Sequence, residues 1–529
     1  MRKPLLVSSL LILSSTLALA QQTEKVDLNV IHRIKAEVMG RGSKVMDHLF
    51  YLTDVNGPRL TNSRGFRASG DWAVKRLKEY GLSNVRLEKW GPFAKGWNLD
   101  HYSGHMLEPQ YQPIIAMPVA WTNGTNGVVT GNPVLVMPQT QAELDAFKGK
   151  LAGKIVMISP KRDLEMVTTP LGTRYSENEL AELQTAQIQI PGFGRGGRGG
   201  NAGGGGRGGA NAGGPPNAQA IQAFLKSERV ALVIQNSVRG DGGTVFGGGA
   251  QNREATDNLP TLVMATEHYN RIVRLLEHEI PVKLQFEIKT SIEDGDSFNV
   301  IAEIPGNAKK DEIVMVGGHF DSWHYGTGAT DNAAGSAVAM EVMRTLKALN
   351  LPMDRTVRMA LWGGEETGLN GSRAYVKEHF ADPTTMKITA EHEKFAGYWN
   401  IDNGTGRIRG IYLQGNEMAR PIFEKWLEPF KDLGASVITI RNTGGTDHQA
   451  FDAVGLPGFQ FIQDTMDYNT RTHHSTMDVY DRVQATDMLQ MSTIEAAMVY
   501  LTATRPEKLP RKPLPPPTPA AGRGGRGGN

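Results

Sequence analysis

From Phe298 to Thr504 the chain repeats one pattern: an apolar run, a glycine-rich or polar turn, then an amphipathic segment. The runs in "NVIAEIPG", "EIVMVGGHFDS", "TVRMALWGGEE", "FAGYWNIDNGTG" and "GFQFIQDT" are nearly continuous in apolar residues. Strands buried on both faces read that way, whereas half-exposed strands alternate. Between them lie segments such as "SAVAMEVMRTLKAL", where Val338, Val342 and Leu346 recur every fourth residue and mark a buried helix face. The pattern predicts an α/β fold in three layers, a mostly parallel (mixed) sheet with helices on both faces. In such sheets ligands bind beyond the carboxyl ends of the strands, and the polar clusters of this region fall there.

Those clusters are strongly acidic. In "VMVGGHFDSWHYGTGATDNAAGSAVAM" the strand is expected to end at Val316 and turn on two glycines; His319, Asp321 and, at the mouth of the next helix, Asp331 follow. "ALWGGEETGLNGS" sets Glu365 beside Glu366, "WNIDNGTG" adds Asp402, and "RTHHSTMD" adds His474. Singly, each has an ordinary structural use; an aspartate at a helix start is commonly a cap. Gathered at one sheet edge, so many carboxylates need a neutralising cation. No Lys or Arg stands in these motifs up to Asp402, and only Arg471 lies near the last. Divalent metal is the natural counterion, and two histidines with three carboxylates suit a pair of zinc ions. Two such ions balance Asp331, Glu366, Asp402 and one hydroxide, which leaves Glu365 spare. Adjacent residues at a strand end point in different directions. One glutamate can therefore bind metal while its neighbour faces the attacking water as a general base.

The remainder of the 529 residues divides by texture. Residues 1–20 read as a secretory signal: Arg2 and Lys3, an apolar stretch from Leu5 to Leu19, and Ala18-Leu19-Ala20 as the cleavage site. The expected destination is secreted or periplasmic, with no membrane partner once the signal is removed. There is no cysteine, so a thiolate metal site and a cysteine nucleophile are excluded. A net charge of +2 gives no reason to expect a nucleic-acid partner. Residues 21–110 are read as the first part of the catalytic domain, rich in helix signals. There "FRASGDWAVKRLKEYGL" puts Ala68, Trp72, Ala73 and Leu77 on one face, with Gly81 as a cap. Residues 111–292 switch to short strand-like runs and are read as a separate module. They contain a glycine-rich stretch, about 192–217, that cannot bury enough apolar surface to fold. Residues 293–507 are the main catalytic part, and 508–529 a disordered Pro/Gly-rich tail.

Five motifs taken together, "GGHFDS", "GATDNAAG", "GGEETGLNGS", "NIDNGTG" and "HHSTMD", resemble those of the co-catalytic zinc exopeptidases. That family includes bacterial leucyl aminopeptidases, glutamate carboxypeptidases and carboxypeptidase Q. The segment "GPRLTNSRGFRASGDWAVKRLKEYGLSNVRLEKW" resembles the N-terminal part of carboxypeptidase Q-like members, and the strand-rich module resembles their protease-associated domain. The resemblance implies an exported peptidase acting on terminal bonds of a peptide substrate with two zinc ions per chain, and it allows a homodimer. It implies His319 and Asp402 on one zinc, Glu366 and His474 on the other, Asp331 bridging, and Glu365 as base. Asp321 would orient His319, and His473 would be a pocket neighbour of His474. Asp447 and His448, in "GGTDHQAF", would support the site or touch substrate. Some aminopeptidases of the family carry a tyrosine shortly before that loop to stabilise the oxyanion; the corresponding stretch here, "RNTGG", has none. Two other readings use the same scaffold: a metal-free receptor or binding member, and a glutaminyl cyclase-like acyl transferase.

Overall fold

Alternate residues of the central strands face two different cores, as a strand's two-residue period requires. Val314, Val316, Val357, Met359 and Leu361 pack against the helices Leu28–Met39, Ala334–Ala348 and Ala485–Thr504. Met315, Ala360, Trp362 and Tyr398 turn the other way. They meet Tyr375 and Val376 of the helix Asn370–His379 and Phe451 of the helix His448–Asp452. The sheet is thus covered on both faces, which is the three-layer α/β arrangement. These relations come from a computed structural model that describes residues 24–93, 95–187 and 216–518. The signal reading (1–20), residues 192–215 of the glycine-rich stretch and residues 519–529 of the tail lie outside the described residues.

Eight strands form this sheet. In spatial order they are Ser83–Trp90, Ser297–Ile304, Arg355–Trp362, Lys309–His319, Phe395–Asn400, Gly458–Gln463, Ile408–Tyr412 and Val437–Thr439. The central strands run parallel, and antiparallel pairs flank them on each side, so the sheet is mixed. His319 closes one central strand. Glu365, Asp402 and the segment leading to His474 follow the carboxyl ends of three others.

Three local expectations change. The strand before His319 does not stop at Val316 but runs through Gly317 and Gly318 to His319 itself. The glycines serve close packing rather than a turn: a Cβ on Gly317 would lie 1.9 Å from the Ala360 carbonyl oxygen. In the helix Arg64–Glu79 the buried face is Phe66, Ser69, Gly70, Ala73 and Leu77, with Ala68 exposed. Trp72 sits at its rim, stacked on Tyr51 at 5.1 Å. The start of the expected tail is not free chain: Leu509 is buried, Asn416 donates to the Pro510 carbonyl, and Arg511 donates to the Phe395 carbonyl at 2.7 Å.

The strand-rich region forms two sheets of its own. One has four strands around the long antiparallel pair Gly96–Glu108 and Lys283–Glu293; the other has five, Ala116–Pro118 through Pro133–Leu135. The long pair begins well before residue 111. Its Met106, Leu284, Phe286 and Ile288 share a core with Ile234, Leu262 and the helix Thr266–Glu277. No helix among the described residues is long and apolar enough to cross a membrane.

Candidate metal centre

His319 leaves its strand end with both ring nitrogens engaged. Nδ1 lies 2.9 Å from the backbone carbonyl of Asp321, which acts as its acceptor. Nε2 is thereby turned toward a ring of carboxylates: Asp331 Oδ1 at 3.1 Å, Asp402 Oδ1 at 3.3 Å and Glu365 Oε2 at 4.0 Å. The Asp321 side chain does not make the expected contact, since its Oδ1 is 3.8 Å from Nδ1. Its oxygens instead accept from Thr61 Oγ1 at 2.5 Å and from the Glu365 backbone N–H at 3.1 Å. Asp321 therefore orients His319 through its main chain and the glutamate loop through its side chain.

A second group faces the first across Asp331. His474 Nε2 lies 3.3 Å from Asp331 Oδ2 and 3.0 Å from Glu366 Oε2. His473 Nε2 is 3.7 Å from the same Asp331 oxygen, and the two imidazoles lie 3.8 Å apart, tilted by 36°. Ligand atoms of His319, Asp331 and Asp402 lie within 4.8 Å of one another, and so do those of Asp331, His473 and His474. The adjacent glutamates diverge: Glu365 reaches toward His319, while Glu366 reaches His474.

Asp331 is placed by its loop. It stands in the turn Ala329–Ala333, just before the helix Ala334–Ala348, rather than as that helix's cap. Gly328 precedes the turn at φ +68°, and a Cβ there would meet Ser322 at 2.3 Å. Asp478 fixes the same loop, accepting from the Thr330 backbone N–H at 2.6 Å through its carboxylate. Its carbonyl accepts from the N–H groups of Thr327 and Gly328.

The electrostatics are those of a buried anion cluster. Burial raises Glu365 well above the usual carboxylate range, and Asp402, Asp447 and Glu366 add to it against the pull of His319. Burial and Asp331 push Glu366 to about 7 despite His474. Asp447 is pushed to about 7, chiefly by burial, with His319 opposing and Asp402 and Asp321 adding. Burial works against the charged imidazole of His474, yet Glu366 and Asp331 lift it to about 10. Asp331 goes the other way, held well below its usual value by His319 and His474 although burial opposes this.

The donor set fits a metal centre. Asp331 Oδ2, Glu366 Oε1 and Asp402 Oδ1 are buried without a hydrogen-bond partner. Such orphaned oxygens are costly unless something cationic meets them. Arg59 is fully buried nearby, yet it donates to the carbonyls of Leu52, Phe320, Thr327 and Gly328 rather than to a carboxylate. Oxygen and imidazole donors together suit zinc.

Asp447 lies fully buried near these groups, both its oxygens lacking a hydrogen-bond partner. His448 does not join them. Its Nε2 pairs with the Thr443 carbonyl at 3.1 Å, and burial lowers it to about 4. Residues absent from the sequence reading also reach the site. Arg59 holds the backbone after His319 and before Asp331. Tyr468 lies beside the cluster: burial first, then Asp331, Asp402 and Glu366, push its phenol well above the ordinary value. Arg253, from the strand-rich region, lies over Trp121 and donates to the Thr367 carbonyl at 3.1 Å. The motif "GPRLTNS" carries the signal for Arg59, a lone cation between a Gly-Pro turn and small polar residues. Arg253 and Tyr468 stand in stretches without any.

Residues 299–499 match Peptidase family M28. Carboxypeptidase Q of Homo sapiens is 25% identical over 480 residues, covering 90% of this chain and 89% of its own length. Among solved structures, a Peptidase M28 precursor from Shewanella amazonensis aligns with a TM-score of 0.64 at 23% identity, over 92% of this chain and 98% of its own. A zinc aminopeptidase from Bacillus subtilis aligns at 0.54 and 18% identity, over 87% and 94%. Both structural likenesses speak to the fold.

Proposed function

We propose that this chain, a zinc metallopeptidase of the co-catalytic exopeptidase family, is an exported enzyme that removes terminal residues from peptides with two zinc ions. In this reading His319 and Asp402 would hold one ion, Glu366 and His474 the other, and Asp331 would be shared. The observation that carries it is the division of the Asp331 carboxylate: Oδ1 lies 3.1 Å from His319 Nε2, and Oδ2 lies 3.3 Å from His474 Nε2. The signal-like residues 1–20 support export. The two-sheet region begun by Gly96–Glu108 is assigned as the protease-associated module.

When bound, zinc supplies a lowered pKa for water and polarisation of the scissile carbonyl. The chain's own residues do the rest. Glu365, turned toward His319 while Glu366 faces His474, is placed to take the proton of the attacking water and return it to the leaving amine. Its loop is held by the bond from the Glu365 N–H to Asp321. Tyr468, its ring 4.7 Å from that of His473, is the candidate oxyanion donor that "RNTGG" lacks. Tyr468→Phe is expected to lower kcat about a hundredfold with zinc content unchanged, checked by steady-state kinetics and metal analysis.

The function itself is tested by digesting a peptide library with the purified chain and reading the products by mass spectrometry. Shortening from one terminus, abolished by a chelator and restored by zinc, is the expected result. Internal cleavage, or activity indifferent to the chelator, would overturn the reading.

A further inference from the structure

The strand-rich module meets the surroundings of the metal centre through Arg253, which donates to the Thr367 carbonyl beside Glu366, and more extensively along the turn that carries His474. The segment after its strand Leu232–Asn236 runs alongside residues 473–476, with Phe246 and Ser475 forming an antiparallel bridge. The Thr476 N–H donates to the Val245 carbonyl at 3.0 Å, and the Val245 N–H donates to Thr476 Oγ1 at 3.1 Å. The Gly247 N–H donates to the His474 carbonyl at 3.2 Å. Arg239 reaches one residue further back: Nη2 donates to the His473 carbonyl at 2.8 Å and Nη1 to the Asn469 carbonyl at 3.2 Å. Its guanidinium lies 4.4 Å over the Phe246 ring, and no carboxylate among the described residues pairs with it.

His474 itself has φ +62°, a left-handed conformation that non-glycine residues adopt at a cost unless their surroundings impose it. The two peptide units flanking its Cα are those whose carbonyls belong to His473 and His474. Arg239 holds the first and Gly247 the second, so the module fixes both dihedrals that aim the imidazole at Asp331 and Glu366. Arg59 plays the matching part on the other side, anchoring the backbone around His319 and Asp331 from within the catalytic region.

We propose that the strand-rich module is a positioning element for the His474 half of the metal centre, with Arg239 as its principal contact. This rests on the two-zinc reading above. Arg239 touches no reacting atom; it acts through His474, so its removal should loosen one zinc site and spare the other.

The test is a zinc titration of the full chain against a chromophoric chelator, with thermal unfolding of the metal-free protein alongside. Wild type should bind two zinc ions. Arg239→Met keeps bulk over Phe246 without the donors. It is expected to weaken one of the two sites about 10- to 100-fold, the range found when an outer partner of a metal ligand is lost, with the other site unchanged. Arg239→Lys should recover part of that loss. Thr476→Val, a milder change in the same ladder, should weaken the same site about fivefold, as the loss of a single hydrogen bond implies. Equal weakening of both sites, or a loss that merely tracks a lowered unfolding temperature of the metal-free protein, would overturn the proposal. Failure of wild type to bind two zinc ions would instead sink the two-zinc reading on which it rests, and the two failures are told apart by the wild-type titration alone.

Discussion

Replacing Glu365 by glutamine is expected to lower kcat at least about a thousandfold while zinc content and unfolding temperature stay as in wild type. The amide has the carboxylate's shape and cannot accept the proton. Glu365 lies 4.0 Å from His319 and is the spare acid of the set, so its neutralisation should leave the proposed ligands in place. The amide carries no charge for burial and for Asp402, Asp447 and Glu366 to penalise, so the metal-free protein should be no less stable. The measurements are steady-state kinetics on the best library peptide, metal analysis and calorimetry. Activity within tenfold of wild type would show that another group takes the proton. Loss of zinc in the same variant would make Glu365 a ligand instead.

Asp331→Ala is expected to weaken both proposed zinc sites by more than about a hundredfold and to leave no measurable turnover at micromolar zinc. Losing an outer partner of a ligand already costs about 10- to 100-fold, and here the proposed shared ligand itself goes. The prediction follows from geometry: each Asp331 oxygen faces a different histidine, so no other side chain can replace both contacts. Chelator competition reads the effect directly. Loss confined to one site would mean that Asp331 belongs to one ion alone.

The strand-end chemistry was legible because it is local. Each of His319, Glu365, Glu366 and Asp402 follows an apolar run by a few residues, so the fold pattern alone gathers them at one sheet edge. What the sequence hid depends on distance along the chain. Arg59 donates to carbonyls more than 250 residues away, and Arg239 to one 234 residues away. Nothing in their immediate neighbours announces such partners. Gly317 and Gly318 misled for a different reason: glycine commonly signals a turn, but here Gly317 clears space for the Ala360 backbone on the adjoining strand and Gly318 for the Ile401 carbonyl. The long strand Gly96–Glu108 was missed because it begins well before the change of texture at residue 111, and only its pairing with Lys283–Glu293 reveals it. Asp321 shows the limit of motif reading even where the residue is well chosen, since its main chain rather than its carboxylate meets His319.

The paired strands Gly96–Glu108 and Lys283–Glu293 have a consequence for how this architecture can vary. Gly96 lies opposite Glu293, so the chain departs from the peptidase body and rejoins it at neighbouring points. To the catalytic sheet the whole excursion is one large loop with its ends already clasped. Extra length in such a loop raises the closure entropy only logarithmically. Insertions among relatives should therefore collect within that excursion rather than in the sheet that carries the acidic cluster.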